Sequence, residues 1–303
     1  VLAWAAYSCP DATNAVYDNI CSAWLGTGPT PDIPAGLPQA PLEDSFWQAY
    51  WAVIDGAEQG YDATTITVAV ASLGGAVHED FGSIAENHAC HHPGACNAQA
   101  RPAPGFTDVD ALSRCPEGSL GKELYDLLTQ NGYDPEVLDR NAIALSELPP
   151  ALCYLNTRIL QMHDVWHLVA GYETTGSQEI AISSFQLAQF GHNYSAMFLA
   201  AVSMISHTLT PQGYNILMQI VAEAWQHGRQ TPAMMAIEWE DEWNTPMEKL
   251  RSKYQISTLR TVFPADVMEV MAEGSLLRKI SMGYRLAKFN RRLRRTPQLA
   301  AQH

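Results

Sequence analysis

Long hydrophobic runs are missing from this chain. No purely apolar stretch of about 18 residues, the length a membrane-spanning helix needs, occurs anywhere in its 303 positions. The start of the chain lacks the basic-then-apolar signature of a secretory signal and the Arg-rich pattern of a transit peptide; it begins at Val1, which leaves open whether a segment was removed. Cysteine is thin as well. The six residues Cys9, Cys21, Cys90, Cys96, Cys115 and Cys153 are scattered through the chain, a distribution that excludes a disulfide framework and implies a reducing compartment. Charged residues make up only 17% of the chain, and they are unevenly placed. Of 18 Lys and Arg, eight fall within residues 278–303, which hold no Asp or Glu, so the preceding 277 residues set 10 basic against 32 acidic side chains. A body carrying −22 is a poor partner for nucleic acid.

What is present is a globular composition, 47% hydrophobic, ample for a buried core in one large domain or two small ones. Residues 1–25 read as a helical entry interrupted by Pro10, and 26–41, rich in proline and glycine, as a loop. Helical spacing returns at 42–57 (Phe46, Tyr50, Val53, Ile54) and at 62–79, although the β-branched stretch TTITVAVAS also suits a strand. Asp108 opens a helical turn, Pro116-Glu117-Gly118-Ser119-Leu120-Gly121 leads into a helix at 122–130, and Asn131-Gly132 ends it. Glu117-Gly118-Ser119 is either turn chemistry or a loop beside a metal.

Residues 180–222 form a run of 43 positions without a charge. They are too polar at Gln186, Gln189, His192 and Asn193 for a simple membrane helix. The stripe Phe198, Val202, Ile205, Leu209 has a helical period, to face a core or to line a site for a long lipid chain. Helices are expected at 212–229 and from Pro232 through Trp243, and Thr245-Pro246-Met247-Glu248 reads as a capping box opening another, to Tyr254. Every element from 122 onward is helical in pattern, so the expected fold is all-α, a multi-helical globular domain.

The chemistry concentrates in residues 151–179. His163, Asp164 and His167 share one helical face. Gly171 can end that helix, Thr174 to Ser177 can start the next, and Glu179 then lies in its first turn, swung over the histidines by a short antiparallel connection. Two imidazoles with carboxylates suit zinc or ferrous iron and leave positions open for water or substrate. The bland alternative is a histidine pair that caps or lines a core. Against it, Asp164, Glu173 and Glu179 stand in an apolar region, where each needs a partner if buried, and one cation satisfies several.

A second group, His88, Cys90, His91, His92 and Cys96, could bind zinc or iron, but its spacing fits no common zinc module, and a polar loop is the alternative. His192, His207 and His227 are candidate ligands or bases without supporting spacing, and read as satisfied core or surface histidines.

His163-Asp164-x-x-His167, eleven residues and Glu179 resemble the signature of the coenzyme Q (ubiquinone) biosynthesis protein 4 family. Residues 115–121, CPEGSLG, resemble its P-E-G-S-L-G segment. Ala224-Trp225, Gly228-Arg229, Trp239-Glu240, Trp243, Pro246 and Arg251 resemble its C-terminal pattern, and Pro10-Asp11-Ala12-Thr13 resembles a family P-D-D-T. The likeness is specific between about 107 and 256 and absent from roughly 35–105 and beyond 260. It divides the chain into an N-terminal helical region, 1–105, with a family-unlike insertion at about 35–105; a metal-binding helical domain, 106–260; and a C-terminal extension, 261–303. One departure concerns the ligand loop, where a family P-L-G-E type ending is replaced by Thr174-Thr175-Gly176-Ser177-Gln178-Glu179 at unchanged length.

The resemblance implies His163, Asp164, His167 and Glu179 as metal ligands, with Asp164 also a catalytic base or an orienter of a histidine. The implied cofactor is a divalent ion, zinc first, with iron, cobalt or manganese as alternatives. The implied reaction is oxidative decarboxylation of a polyprenylated 4-hydroxybenzoate-type intermediate on the way to ubiquinone. The alternative is a non-catalytic lipid-binding scaffold for other ubiquinone-biosynthesis proteins, and a homo-oligomer fits either. A zinc hydrolase of the H-E-x-x-H kind fits poorly, because Asp164 stands beside the first histidine where those enzymes place Glu.

Residues 275–295 combine an apolar stripe, Met282, Leu286, Phe289 and Leu293, with a cationic face. A basic amphipathic helix of this kind lies on anionic membranes, and the polyprenyl substrate resides in a bilayer. The expected location is therefore peripheral, on the cytoplasmic face of a bacterial inner membrane or the matrix side of the mitochondrial one. The alternative is a helix docked on the acidic body.

Overall fold

The uncharged run becomes the packing centre of the molecule. In the computed structural model, which describes residues 1–28, 30–60, 63–95, 105–133, 148–211, 213–273 and 276–295, the run supplies α9 (Gly176–Phe190), α10 (Asn193–Leu209) and much of α11 (Tyr214–Gln230). A helix stretch without charges can be buried on all faces, and α9 past Glu179 is: Ile180, Ala181, Phe185, Leu187 and Phe190 lie in the core, as do Ser184, Gln186 and Gln189. Ser184 and Gln189 find backbone partners in α11 and beyond, and Gln186 Oε1 accepts from Ser195 Oγ at 3.5 Å. Ser184 Oγ donates to the Val221 carbonyl at 2.9 Å, and Gln189 Nε2 donates to the Gly228 and Thr231 carbonyls at 2.6 and 2.7 Å. Gly228 is what lets α9 and α11 approach: a Cβ there would stand 2.7 Å from Ala188 Cβ and 2.9 Å from the Phe185 carbonyl oxygen.

The N-terminal helices pack around this centre. They are α1 (Leu2–Tyr7), α2 (Thr13–Leu25), α3 (Asp44–Gly56), α4 (Ala63–Ser72) and α5 (Phe81–Ala89). Helices α1, α3 and α4 lie on α10 and α2 lies on α11, with Tyr50 donating to the Ala200 carbonyl at 3.1 Å. TTITVAVAS is therefore helical, in α4. Its Val70 is fully buried while Val68 is exposed, so a helical face packed on the core decides against the local β preference. Among the described residues no β-strand occurs, and Ser119 and Pro246 form an isolated antiparallel bridge. The fold is all-α. One continuous apolar core draws on residues from Ala5 to Phe289.

After α6 (Val109–Ser113), capped by the Asp108 carboxylate accepting from Ala111 N at 3.0 Å, comes α7 (Leu120–Asn131), ended by left-handed Gly132. The long α8 (Pro150–Ala170) then turns at Gly171 and runs back as α9. Side chains meet along this antiparallel pair, from Glu179 and His167 near the turn to His192, just beyond α9, and Asn156 at the far end. The carbonyls that end α8 are all satisfied from one direction. Arg251 Nη2 donates to Leu168 O at 2.8 Å, Arg251 Nε to Val169 O at 3.0 Å, and Leu259 N to Ala170 O at 2.8 Å.

Two expected elements differ. No helix spans Pro232 to Trp243; a single 3-10 turn forms at Trp239–Glu242. The backbone there is engaged by side chains of other helices, Met234 N donating to Gln189 Oε1 and the Ile237 carbonyl accepting from Arg158. Helix α12 (Met247–Tyr254) begins where expected but without the capping box: Thr245 Oγ1 is bonded to Glu242 Oε2 at 2.7 Å, and Met247 N donates to the Gly118 carbonyl instead.

The tail forms α13 (Val267–Glu273) and α14 (Leu276–Arg295). The stripe meant for a membrane is turned inward. Met282 and Phe289 are buried, Phe289 meeting Phe263 edge-on at 5.1 Å, and Leu286 is half-buried, whereas Arg285, Lys288 and Arg291 face solvent. The docked alternative describes this helix, because apolar surface on α13 and at Phe263 was available to cover it; the side chain of Leu293 lies outside the described residues. In α10 the corresponding stripe passes from buried Phe198 to exposed Leu209, so its first turns pack into the core.

Gly171 adopts φ +75°, and a Cβ there would fall 2.7 Å from Thr258 Cβ. Gly171→Ala combines left-handed strain with a clash, and a loss of about 1–3 kcal/mol is expected, measured as a lower denaturant midpoint at unchanged m.

Candidate metal centre

The α8–α9 turn brings the predicted set together. His163, Asp164 and His167 offer ligand atoms within 4.8 Å of one another on the last turns of α8, and Glu179, in the first turn of α9, reaches both rings: Oε2 is 3.6 Å from His163 Nε2 and Oε1 is 3.4 Å from His167 Nε2. The two rings lie 4.6 Å apart. Glu173 does not join them; it is exposed in the turn.

Each imidazole is held by its Nδ1 side. Asp164 Oδ1 lies 3.4 Å from His163 Nδ1, and the Tyr172 carbonyl 3.3 Å from His167 Nδ1. A carbonyl accepts, so His167 carries its proton on Nδ1 and turns a lone pair outward from Nε2, the arrangement that prepares a histidine for metal ligation. That Nε2 is buried and has no hydrogen-bond partner among the described residues. A buried polar atom so placed costs free energy, and a cation shared with Glu179 and His163 removes the cost. The donor set fits a divalent ion of the zinc class.

Burial works against a charged His163, but the Asp164 and Glu179 carboxylates outweigh it and hold its pKa above the ordinary value. Burial likewise works against ionising Asp164 and Glu179, and the two histidines overcome it, holding both below the ordinary carboxylate range.

The turn itself is tied to α13. Thr175 Oγ1 donates to the Ala265 carbonyl at 2.5 Å, Ser177 Oγ donates to the same carbonyl, and Gly176 N donates to Glu269 Oε1 at 2.8 Å. Thr175 gives α9 no side-chain cap.

Of the other candidate histidines, His192 and His227 are satisfied by protein groups and His207 is exposed. His192 meets Ser195 Oγ at 2.9 Å and Asn156 Oδ1 at 3.0 Å, and burial followed by the nearby His163 pushes its pKa down to about 3. His227 Nε2 donates to the Ser257 carbonyl at 2.8 Å while its Nδ1 accepts from Tyr172 OH at 2.9 Å. His207 packs edge-on against Tyr214. In the second group Cys90 packs toward Ala151 and Tyr154, away from the histidines, and Cys96 lies outside the described residues.

Sequence reasoning overlooked Arg158. It is buried in α8 and paired with both carboxylate oxygens of Glu240, Nη2 to Oε2 at 2.9 Å. An arginine within the otherwise uncharged stretch 150–162 of α8 requires such a partner if buried, and that was the available signal. The Pro116–Gly121 loop is turn chemistry: Leu120 N and Gly121 N donate to the Thr245 and Trp243 carbonyls, so it docks on 243–247. Ser119 Oγ caps α7, and Glu117 is exposed.

These features define an all-α protein with a candidate centre of two histidines and two carboxylates at a helix–helix turn. Residues 97–260, more than half of the chain, match the family described as Coenzyme Q (ubiquinone) biosynthesis protein Coq4. The chain belongs to that family, whose members serve ubiquinone biosynthesis. It is 28% identical over 167 residues to the rat protein "Ubiquinone biosynthesis protein COQ4 homolog, mitochondrial", covering 54% of this chain and 61% of that one. Against the human homolog the identity is 27% over the same length and shares. The chain thus spans about three fifths of the length of these relatives. A crystal structure from Nostoc punctiforme PCC 73102, provisionally described as a ubiquinone biosynthesis protein, shares the fold with a TM-score of 0.54 at 23% identity, over 70% of this chain and 97% of that one.

Beside the docked loop, burial tends to raise the Glu242 carboxyl, but Lys253, Tyr254 and Thr245 hydrogen-bond to it and hold it at about 2. A depressed carboxylate stabilises the fold above its ordinary value of 4.5 and loses that contribution as pH falls toward 2. Glu242→Gln is expected to lower the melting temperature at neutral pH, with the gap to wild type closing between pH 4.5 and 2 in thermal melts.

Proposed function

We propose that this chain is a metal-dependent enzyme of ubiquinone biosynthesis that replaces the ring carboxyl of a polyprenylated 4-hydroxybenzoate-type intermediate by hydroxyl. Family membership supports the pathway. One observation carries the reading of the site: among the described residues His167 Nε2 is buried and without a hydrogen-bond partner, while His163, Asp164 and Glu179 beside it are 31%, 25% and 39% exposed. A centre anchored on its inner side and open on its outer side suits catalysis better than a closed structural site.

His163, His167 and Glu179 would hold the ion, zinc first, with iron, cobalt or manganese as alternatives. When bound, such an ion supplies Lewis acidity to a carboxylate or phenolate oxygen of the substrate. Asp164, ionised beside His163 Nδ1, keeps that ring's Nε2 directed at Glu179, and the Tyr172 carbonyl does the same for His167. Buried Met162, Val165 and Trp166 on α8 exclude water from the inner side. Carbon dioxide leaves from the ring carbon, molecular oxygen supplies the incoming hydroxyl oxygen, and an external two-electron donor with two protons carries its second atom away as water.

The test is turnover of a polyprenylated hydroxybenzoate by purified, metal-loaded protein. A His163→Ala protein that keeps its helical circular dichroism but loses turnover is the expected result. A His163→Ala protein that unfolds points instead to a structural metal and to a lipid-binding scaffold for other biosynthetic proteins.

For location we propose peripheral attachment to an inner membrane, bacterial or mitochondrial. The outward face of α14 carries Arg285, Lys288 and Arg291, and exposed Met268, Met271 and Tyr284 sit on α13 and α14. Near an anionic leaflet each basic side chain contributes on the order of 1 kcal/mol. Arg285→Glu, Lys288→Glu and Arg291→Glu together are expected to abolish salt-sensitive sedimentation with phosphatidylglycerol vesicles without altering the melting temperature. Unchanged sedimentation counts against attachment through this face.

A further inference from the structure

The second histidine group has a geometry of its own. Helix α5 ends at Ala89, and the turn that follows folds His92 back so that its Nε2 lies 3.4 Å from Nε2 of His88. Both rings are buried. Two nitrogens bound to one tetrahedral zinc at 2.0–2.1 Å are about 3.4 Å apart. Gly191, at the α9–α10 corner, makes room for the pair: a Cβ there would be 2.3 Å from His92 Nε2 and 2.8 Å from His88 Nε2.

Asp11 completes the arrangement from the other side. Its Oδ1 lies 3.0 Å from His88 Nδ1, so the carboxylate takes that N–H and leaves His88 with a lone pair on Nε2, aimed at His92. Carboxylate, histidine and open Nε2 in series are how proteins orient a zinc-ligating imidazole. His92 then faces two acceptors, His88 Nε2 and the backbone of Gln189. A neutral imidazole has a single N–H with which to serve them. A cation between the rings removes the conflict between the two facing nitrogens.

We propose that His88 Nε2 and His92 Nε2 form a second divalent-metal site, of the zinc class, with Asp11 as the orienting carboxylate and the remaining coordination positions filled by enclosed water. The site ties the turn after α5 to the N-terminal Asp11 and sets it against the α9–α10 corner at Gly191. It is independent of the centre at His163. His91 offers a competing arrangement, since its Nδ1 stands 3.7 Å from Asp11 Oδ1, but that side chain is 71% exposed and reaches the carboxylate rather than the His88–His92 pair.

The experiment uses the whole chain with His163→Ala and His167→Ala, stripped of metal and titrated with cobalt(II) chloride, then with zinc chloride. One bound equivalent is expected, with the visible absorption of imidazole-coordinated cobalt, displaced by zinc. His88→Gln or His92→Gln added to this background should weaken binding by about tenfold or more, Asp11→Asn by about tenfold, and His91→Gln not at all. Zinc should raise the melting temperature of the background protein and not that of the His92→Gln derivative. If His88→Gln or His92→Gln loses its helical circular dichroism, Asp11→Asn decides by the same criterion. Absence of bound cobalt in the background protein, undiminished binding after His88→Gln and His92→Gln, undiminished binding after a decisive Asp11→Asn, or loss with His91→Gln overturns the proposal.

Discussion

The candidate centre depends on how α8 is brought to an end. Three consecutive carbonyls, from Leu168 to Ala170, would be left without partners at the helix terminus, and leaving buried acceptors unpaired costs about 1–3 kcal/mol each. Arg251 and the Leu259 amide supply the donors, and the guanidinium also sits at the negative end of the helix dipole. With that end satisfied, Gly171 can turn left-handed against Thr258 and start α9 where Glu179 overhangs both histidines. The position of the carboxylate is thus decided by a residue some 80 positions further along the chain.

The same logic accounts for several residues that stand far from the centre. Gly228 removes the side chain that would separate α9 from α11. Glu240 neutralises Arg158 inside α8. Asp18 accepts from Trp225 Nε1 at 2.8 Å and from Arg229 Nη2 at 3.2 Å, which pins α2 to α11. Each holds α8, α9 or α11 against its neighbours, and the geometry of the candidate centre is the sum of those constraints rather than a property of the His-Asp-x-x-His segment alone.

The two histidine groups illustrate different ways of meeting one requirement. At His167 a backbone carbonyl selects the tautomer and leaves Nε2 facing a carboxylate; at His88 a carboxylate selects it and leaves Nε2 facing another imidazole. Both turn a buried nitrogen lone pair toward a second ligand atom. The surroundings differ: the first is open to solvent on the side of His163 and Asp164, whereas both rings of the second pair are enclosed at a helix corner.

Helical periodicity, the uncharged run and the four-residue spacing of His163 and His167 made the all-α class and the histidine face legible before any coordinates. So did the turn that delivers Glu179, because glycine at a helix end and the length of a short connection are local properties. The rest was non-local. TTITVAVAS became helical because α10 offered a surface to cover it, and 232–238 stayed irregular because Gln189 and Arg158 claimed its backbone. Cys90 left its histidine neighbours for Ala151 and Tyr154, and the apolar face of α14 turned to Phe263 and away from solvent. Sequence determined which side chains could share a face; the tertiary structure decided what stood opposite, because a buried polar atom or apolar stripe takes whichever partner the packing of distant segments brings within reach.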